Sequence, residues 1–221
     1  MRLRILTILT MLALIGATPI WADIIDFESG FADLQPVGVV ATATNTVTFS
    51  ITGGGTAFIA MIGNPTTGFA PADSPAGAVG GNYFLSDEAD VPLDVAASYF
   101  MSFAVPVESL SLHLYDFRGD GGAPVGSVAT LSLWADAAMT ILVGSTSFTS
   151  VAGMPDGSAT LLSIPSVSSG AVAASLTFSA GDVGTGIDNI NFSNVPEPSA
   201  FLLLGTALVA VIALRHKTRK A

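Results

Sequence analysis

Residues 109–117 read SLSLHLYDF, with Leu110, Leu112 and Leu114 alternating with Ser111, His113 and Tyr115. Apolar side chains at every second position describe a strand with one face in a core, because successive side chains point to opposite sides of a sheet. The same period appears on either side. In TVTFSI (46–51), Val47, Phe49 and Ile51 share a face; ATLSLW (129–134) repeats the pattern through Leu131 and Leu133, and ASLTFS (174–179) through Leu176 and Phe178. Trp134 is out of phase with Leu131 and Leu133, which aims it away from their core.

Turn-forming clusters punctuate these runs: Gly53-Gly54-Gly55, Asn64-Pro65, Gly80-Gly81-Asn82, Gly119-Asp120-Gly121-Gly122, Pro155-Asp156-Gly157 and Gly184-Thr185-Gly186. About ten candidate strands result, spaced as in an all-β antiparallel β-sandwich, with a closed barrel as the next choice. No segment has the spacing and caps of a long amphipathic helix. The stretch from Gly63 to Gly81 reads as a long surface loop, and residues 23–194 as one domain with room for its own core.

The two ends differ from this body. Residues 1–22 begin with Arg2 and Arg4, continue apolar and end at Trp21-Ala22 before Asp23. That order is a secretory signal peptide, with cleavage expected after Ala22 and an alternative site after Ala17. At the other end, an uncharged apolar run over 199–214 precedes Arg215, Lys217, Arg219 and Lys220. It reads as a single short transmembrane helix, and the basic tail 215–220 places its C-terminal side in the cytoplasm. Pro196 and Pro198 hold the chain extended just outside this helix.

The succession Val195-Pro196-Glu197-Pro198, apolar helix and basic cluster resembles the PEP-CTERM sorting signal of Gram-negative bacteria. The resemblance covers 195–221. It implies that an exosortase reads Pro196, Glu197 and Pro198, removes the helix and passes the body from the inner membrane and periplasm to the cell surface or exterior. It also implies an association with exopolysaccharide and biofilm. DIIDFES (23–29) and GIDNINFSN (186–194) resemble the edge strands of jelly-roll domains, which include carbohydrate-binding modules. That resemblance implies a jelly-roll-like body whose first and last strands lie together.

Composition narrows the chemistry. Of the seven basic residues only Arg118 lies between 23 and 195, against sixteen acids, all of the seventeen but Glu197. Such a body repels nucleic acid and attracts cations. Cysteine is absent, so disulfides, thiol catalysis and thiolate metal sites are excluded. His113 is the body's one histidine, no G-x-S-x-G elbow surrounds a serine, and lysine is missing from the body. Acyl transfer and Schiff-base chemistry therefore have no evident machinery.

The acid excess suits calcium, an oxygen-seeking ion. Two groups are candidates. Asp26, Glu28 and Asp188 stand on the first and last strands, which the jelly-roll resemblance brings to a structural ion. Asp87, Glu88 and Asp90 crowd together in SDEAD (86–90). The loop DFRGDGG (116–122) has Asp116 and Asp120 but lacks the spacing of an EF-hand. For glycan stacking the candidates are Trp134 and Tyr115, whose flat rings suit the apolar face of a sugar. The expected function is a non-enzymatic, exosortase-sorted surface or matrix protein associated with exopolysaccharide. The alternatives are a secreted carbohydrate-active enzyme using two carboxylates and a purely structural surface protein.

Overall fold

The computed structural model describes residues 22–52, 56–61, 81–86, 98–115, 117, 125–154, 158–179 and 186–195. These form twelve strands: β1 (Ala22–Ile25), β2 (Pro36–Val37), β3 (Val39–Ala41), β4 (Thr46–Ile51), β5 (Ala57–Met61), β6 (Tyr83–Ser86), β7 (Tyr99–Tyr115), β8 (Val128–Trp134), β9 (Leu142–Thr149), β10 (Ala159–Ile164), β11 (Ala171–Phe178) and β12 (Gly186–Asn194). Every pairing is antiparallel. The fold is all-β, as the alternating pattern predicts. The count exceeds ten because β2 and β3, at two and three residues, are too short to display a period.

The 17-residue β7 organises the molecule. Its first part, Tyr99–Phe103, pairs with β4, and its partners on β11 run from Tyr99 to Val107. Its second part, Val107–Tyr115, pairs with β10 on one side and β12 on the other. Pro106 sits at the changeover, where a residue without an N–H interrupts a ladder at least cost. One strand thus belongs to two layers: β3-β4-β7-β11-β8-β9, and β10-β7-β12-β6-β5-β2 with β1 also on β12.

The inward faces of both layers meet in one core, which makes this a β-sandwich. Leu110, Leu112 and Leu114 are at most 1% exposed, whereas Ser111 and His113 are half-buried. Phe103 of one layer meets Phe192 of the other with ring centroids 5.4 Å apart. Phe27 and Phe49 join across the same interior at 6.1 Å, and Phe117 reaches Phe148 at 6.2 Å.

A polar clamp pins the bend in β7. Asn45, in the turn between β3 and β4, donates from Nδ2 to the Val105 carbonyl (2.8 Å) and accepts the Val105 N–H at Oδ1 (2.9 Å). One carboxamide thereby satisfies both backbone groups of a bend residue, as a neighbouring strand would. Asn45 Nδ2 also donates to Asn194 Oδ1 (2.7 Å), and Asn194 Nδ2 donates to Thr44 Oγ1. Asp23 closes the group, accepting from the Thr42 and Thr44 hydroxyls at 2.5 and 2.6 Å. The first and last strands are tied together one residue short of Val195.

β1 and β12 pair from Ala22 with Ser193 to Ile25 with Ile190, so the terminal strands lie side by side. Among the described residues no helix is long and apolar enough to cross a membrane. The segments read as signal peptide (1–21 of 1–22), transmembrane helix and basic tail lie outside the described residues, as does the loop expected over 63–81 except for Gly81.

Candidate functional site

The first edge strand, expected within DIIDFES (23–29), stops at Ile25. Phe27 takes a left-handed backbone (φ 54°), which L-residues adopt at a cost. Burial of its ring at 1% exposure, edge-on to Phe31 (5.5 Å) and Phe49, offsets that strain. The turn leaves Asp26 exposed and Glu28 half-buried beside it, with the Glu28 N–H donating to Asp26 Oδ1 at 3.3 Å. Both acids therefore sit on a turn after β1.

Asp188 lies on β12 opposite His113 of β7. Beyond it the register shifts, and Asn189 is left-handed (φ 49°), a conformation asparagine tolerates. The bulge turns the Asn189 amide back over the strand, where Nδ2 lies 3.3 Å from Asp188 Oδ2 and 3.4 Å from the Tyr115 hydroxyl. Asp188 is 1% exposed, and its Oδ1 has no hydrogen-bond partner. His113 Nδ1 is likewise buried and unpartnered.

The Glu28 Oε1 accepts the Tyr83 N–H at 2.9 Å, and its carboxylate occupies the space where a Cβ at Gly81 would stand, so a side chain there would push the carboxylate aside. Asp26, Glu28 and Asp188 thus share one electrostatic neighbourhood. Burial, above all, pushes the Asp188 carboxyl up to about 8, and the Glu28 and Asp26 charges add to the effect, against an opposing backbone hydrogen bond at Asn189. Burial also raises the Tyr115 phenol to about 12, with help from Asp188, and lowers His113.

The chemistry of this cluster fits a hard divalent cation. The buried Asp188 Oδ1 lacks a hydrogen-bond partner and feels the charges of Glu28 and Asp26, a setting in which a cation would offset the cost of ionising it. Among the described residues no three His, Asp or Glu side chains are already gathered as a ligand set. Any ion here would complete its shell with amide or backbone oxygens. The second candidate group, Asp87, Glu88 and Asp90, lies outside the described residues, as do Pro196, Glu197 and Pro198.

Of the two stacking candidates, the structure removes Tyr115. It is 4% exposed and packs edge-on to Phe84 (6.3 Å) in a small apolar cluster with Ala60 and Ala159. Cross-strand neighbours cover the outer side of β7 at that end, which the alternation within β7 alone does not reveal. Trp134 is half-buried on the face away from Leu131 and Leu133. Its indole N–H donates to Ser175 Oγ at 3.0 Å.

Sequence reasoning passed over Asn189. The dipeptide Asp188-Asn189 within a strand pattern was the available signal for a bulge, since both types are depleted from regular strands.

Several solved structures are similar in overall shape. TmCBM61 in complex with β-1,4-galactotriose matches at 13% identity over 77% of this chain and 94% of its own, with a TM-score of 0.40. A DUF4465 family protein from Bacteroides caccae ATCC 43185 matches at 13% identity over 81% and 95%, with a TM-score of 0.41. The K1 cleaved adhesin domain of Lys-gingipain from Porphyromonas gingivalis W83 matches at 10% identity over 80% and 93%, with a TM-score of 0.32. No curated protein matches the sequence significantly. A family model matches at the C-terminus, where β12 ends: residues 194–220 are a PEP-CTERM protein-sorting motif.

Proposed function

We propose that this is an exported, exosortase-processed surface protein of a Gram-negative bacterium, a non-enzymatic β-sandwich associated with the cell's own exopolysaccharide. One observation carries the reading: the sorting motif begins at Asn194, the last residue of β12 and a member of the clamp that closes the body. Folded cargo and sorting signal are therefore contiguous in sequence. In this reading Pro196, Glu197 and Pro198 present an extended segment to the processing enzyme, the apolar run that follows holds the precursor in the membrane, and the signal peptide starts export. A calcium ion at Asp26, Glu28 and Asp188 supplies positive charge that locks the first and last strands together.

The alternative of a two-carboxylate glycosidase has one feature on its side. Asp188 holds its proton near neutral pH beside Glu28, the pattern of a general acid with a partner. Its burial at 1% exposure places it out of reach of a polymeric substrate and favours the non-enzymatic reading.

The test is made in the producing bacterium. The protein is followed by size and location with the native tail and with Pro196→Ala, Glu197→Ala and Pro198→Ala combined. The expected result is a shortened product at the surface or in the medium for the native tail and a full-length membrane species for the variant. Identical processing of both would remove the sorting assignment. Sedimentation of the released protein with its own exopolysaccharide, with calcium and with chelator, tests the glycan association.

A further inference from the structure

We propose that the outer face of the β4-β7-β11-β8 layer docks an uncharged polysaccharide chain, with Trp134 as its stacking plate. The proposal rests on the glycan-associated reading above and assigns it a surface and a ligand class. Strand register lays out the face in rows. One row runs Thr48, Ser102, Ala173 and Trp134. The row beside it runs Ser50, Phe100, Ser175 and Ser132. Neighbouring strands stand ~4.8 Å apart and successive outward residues of one strand ~6.7 Å apart, so small hydroxyls and two aromatic rings pave a flat lattice.

Trp134 bridges the two rows. Its N–H is fixed to Ser175 Oγ at 3.0 Å, and its register partner Ala173 is fully buried. A tryptophan held in place on a small neighbour loses little freedom when a flat ligand covers it. Aromatic surface bordered by hydroxyls complements a sugar, which presents apolar C–H faces and a hydroxyl rim. Thr48 and Ser102 are exposed and Ser50, Phe100 and Trp134 half-buried, whereas Ala173, Ser175 and Ser132 lie buried beneath them, so a ligand would meet Thr48, Ser102 and the two aromatic rings.

Charge selects the ligand class. No ionisable residue occurs in either row, whereas the body as a whole carries sixteen acids against Arg118 alone. The resulting field repels an acidic polysaccharide from every direction and leaves a neutral one unaffected.

The exported, processed protein is run in native gels containing hydroxyethylcellulose, the producer's own exopolysaccharide or alginate. The expected result is retardation by the neutral polymer and none by the anionic alginate. Trp134→Ala and Ser102→Asp should each weaken retention about tenfold or more. Ser102→Asp alters an exposed position, so its melting temperature should stay near wild type and keep the test valid if Trp134→Ala unfolds. If polysaccharide retention is undiminished in Ser102→Asp, this face is not the site, although the glycan reading survives. Retention by alginate in preference to the neutral polymer overturns the ligand class. Retention by none of the three removes the glycan reading and this inference with it. Concentration-dependent self-association abolished by Ser102→Asp would reassign the face to contact between copies.

Discussion

Asp188 on β12 stands opposite His113 on β7, and each carries a buried polar atom that no hydrogen bond reaches. Two unsatisfied groups on adjacent strands are costly, because burial strips water from both without replacing it. The molecule answers by keeping Asp188 protonated and His113 neutral in the absence of a cation. This pair, with Asp26, Glu28 and Tyr115 around it, gives the body a definite pH signature.

With chelator present, the body should lose stability as pH rises from the ordinary carboxylate range to about 8. The folded state there holds a proton on Asp188 that the unfolded chain has released, so the slope of stability against pH is negative until the folded pKa is passed. His113 acts in the opposite sense, but only below its ordinary pKa near 6.5; Tyr115 acts in the same sense as Asp188, but only above about 10. Melting temperatures between pH 6.5 and 8.5 therefore isolate Asp188. Asp188→Asn should flatten the curve across that window; an unchanged slope would place the titrating group elsewhere.

Calcium should reverse this dependence, since the ion stabilises the ionised carboxylate. Calcium at a hundred times its dissociation constant adds about 2.7 kcal/mol to stability. The upward shift of the melting temperature should be larger at pH 8.5 than at pH 6.5, where a proton competes for Asp188. Glu28→Gln should shrink the shift. Calorimetry showing equal shifts in wild type and in the Glu28→Gln, Asp188→Asn double variant would locate the ion outside this cluster.

The core alternation on β7 makes a sharp contrast between adjacent residues. Leu112 is fully buried, and Leu112→Ala should cost about 2–5 kcal/mol in urea unfolding. Ser111→Ala, one position away on the half-buried face, should fall within about 0.5 kcal/mol of wild type. Similar costs at the two positions would mean that the strand does not separate a core face from an outer one.

Asn45 offers a test of the clamp. Asn45→Ala removes the partners of the Val105 N–H and carbonyl together with the bond to Asn194, and should destabilise the body by at least about 2 kcal/mol. Hydrogen exchange should quicken at Val105 and along the end of β12 more than in β8 or β9. Uniform quickening would show a merely global loss.

Much of this architecture is legible locally. The 110–114 alternation reports a strand with one core face because side-chain direction has a period of two whatever lies beside the strand. The outward direction of Trp134 follows from the same rule. The sorting motif is equally local: its residue order along the chain suffices to identify it.

Other features depend on contacts distant in sequence. Tyr115 has the same phase as His113, yet Phe84 and Ala60 bury it, and nothing within β7 announces their arrival. Asp26 and Glu28 leave their strand because Phe27 turns left-handed to reach Phe49. Asp188 reads as one acid among many until β7 and β12 pair and seal it. Alternation, charge distribution and the C-terminal sorting motif are properties of neighbours along the chain, and the amino-acid order settled them here. Which outward residues are covered, which carboxylate is dehydrated and which hydroxyls share one flat face were settled by strand pairing, because desolvation is set by the atoms that surround a group in space.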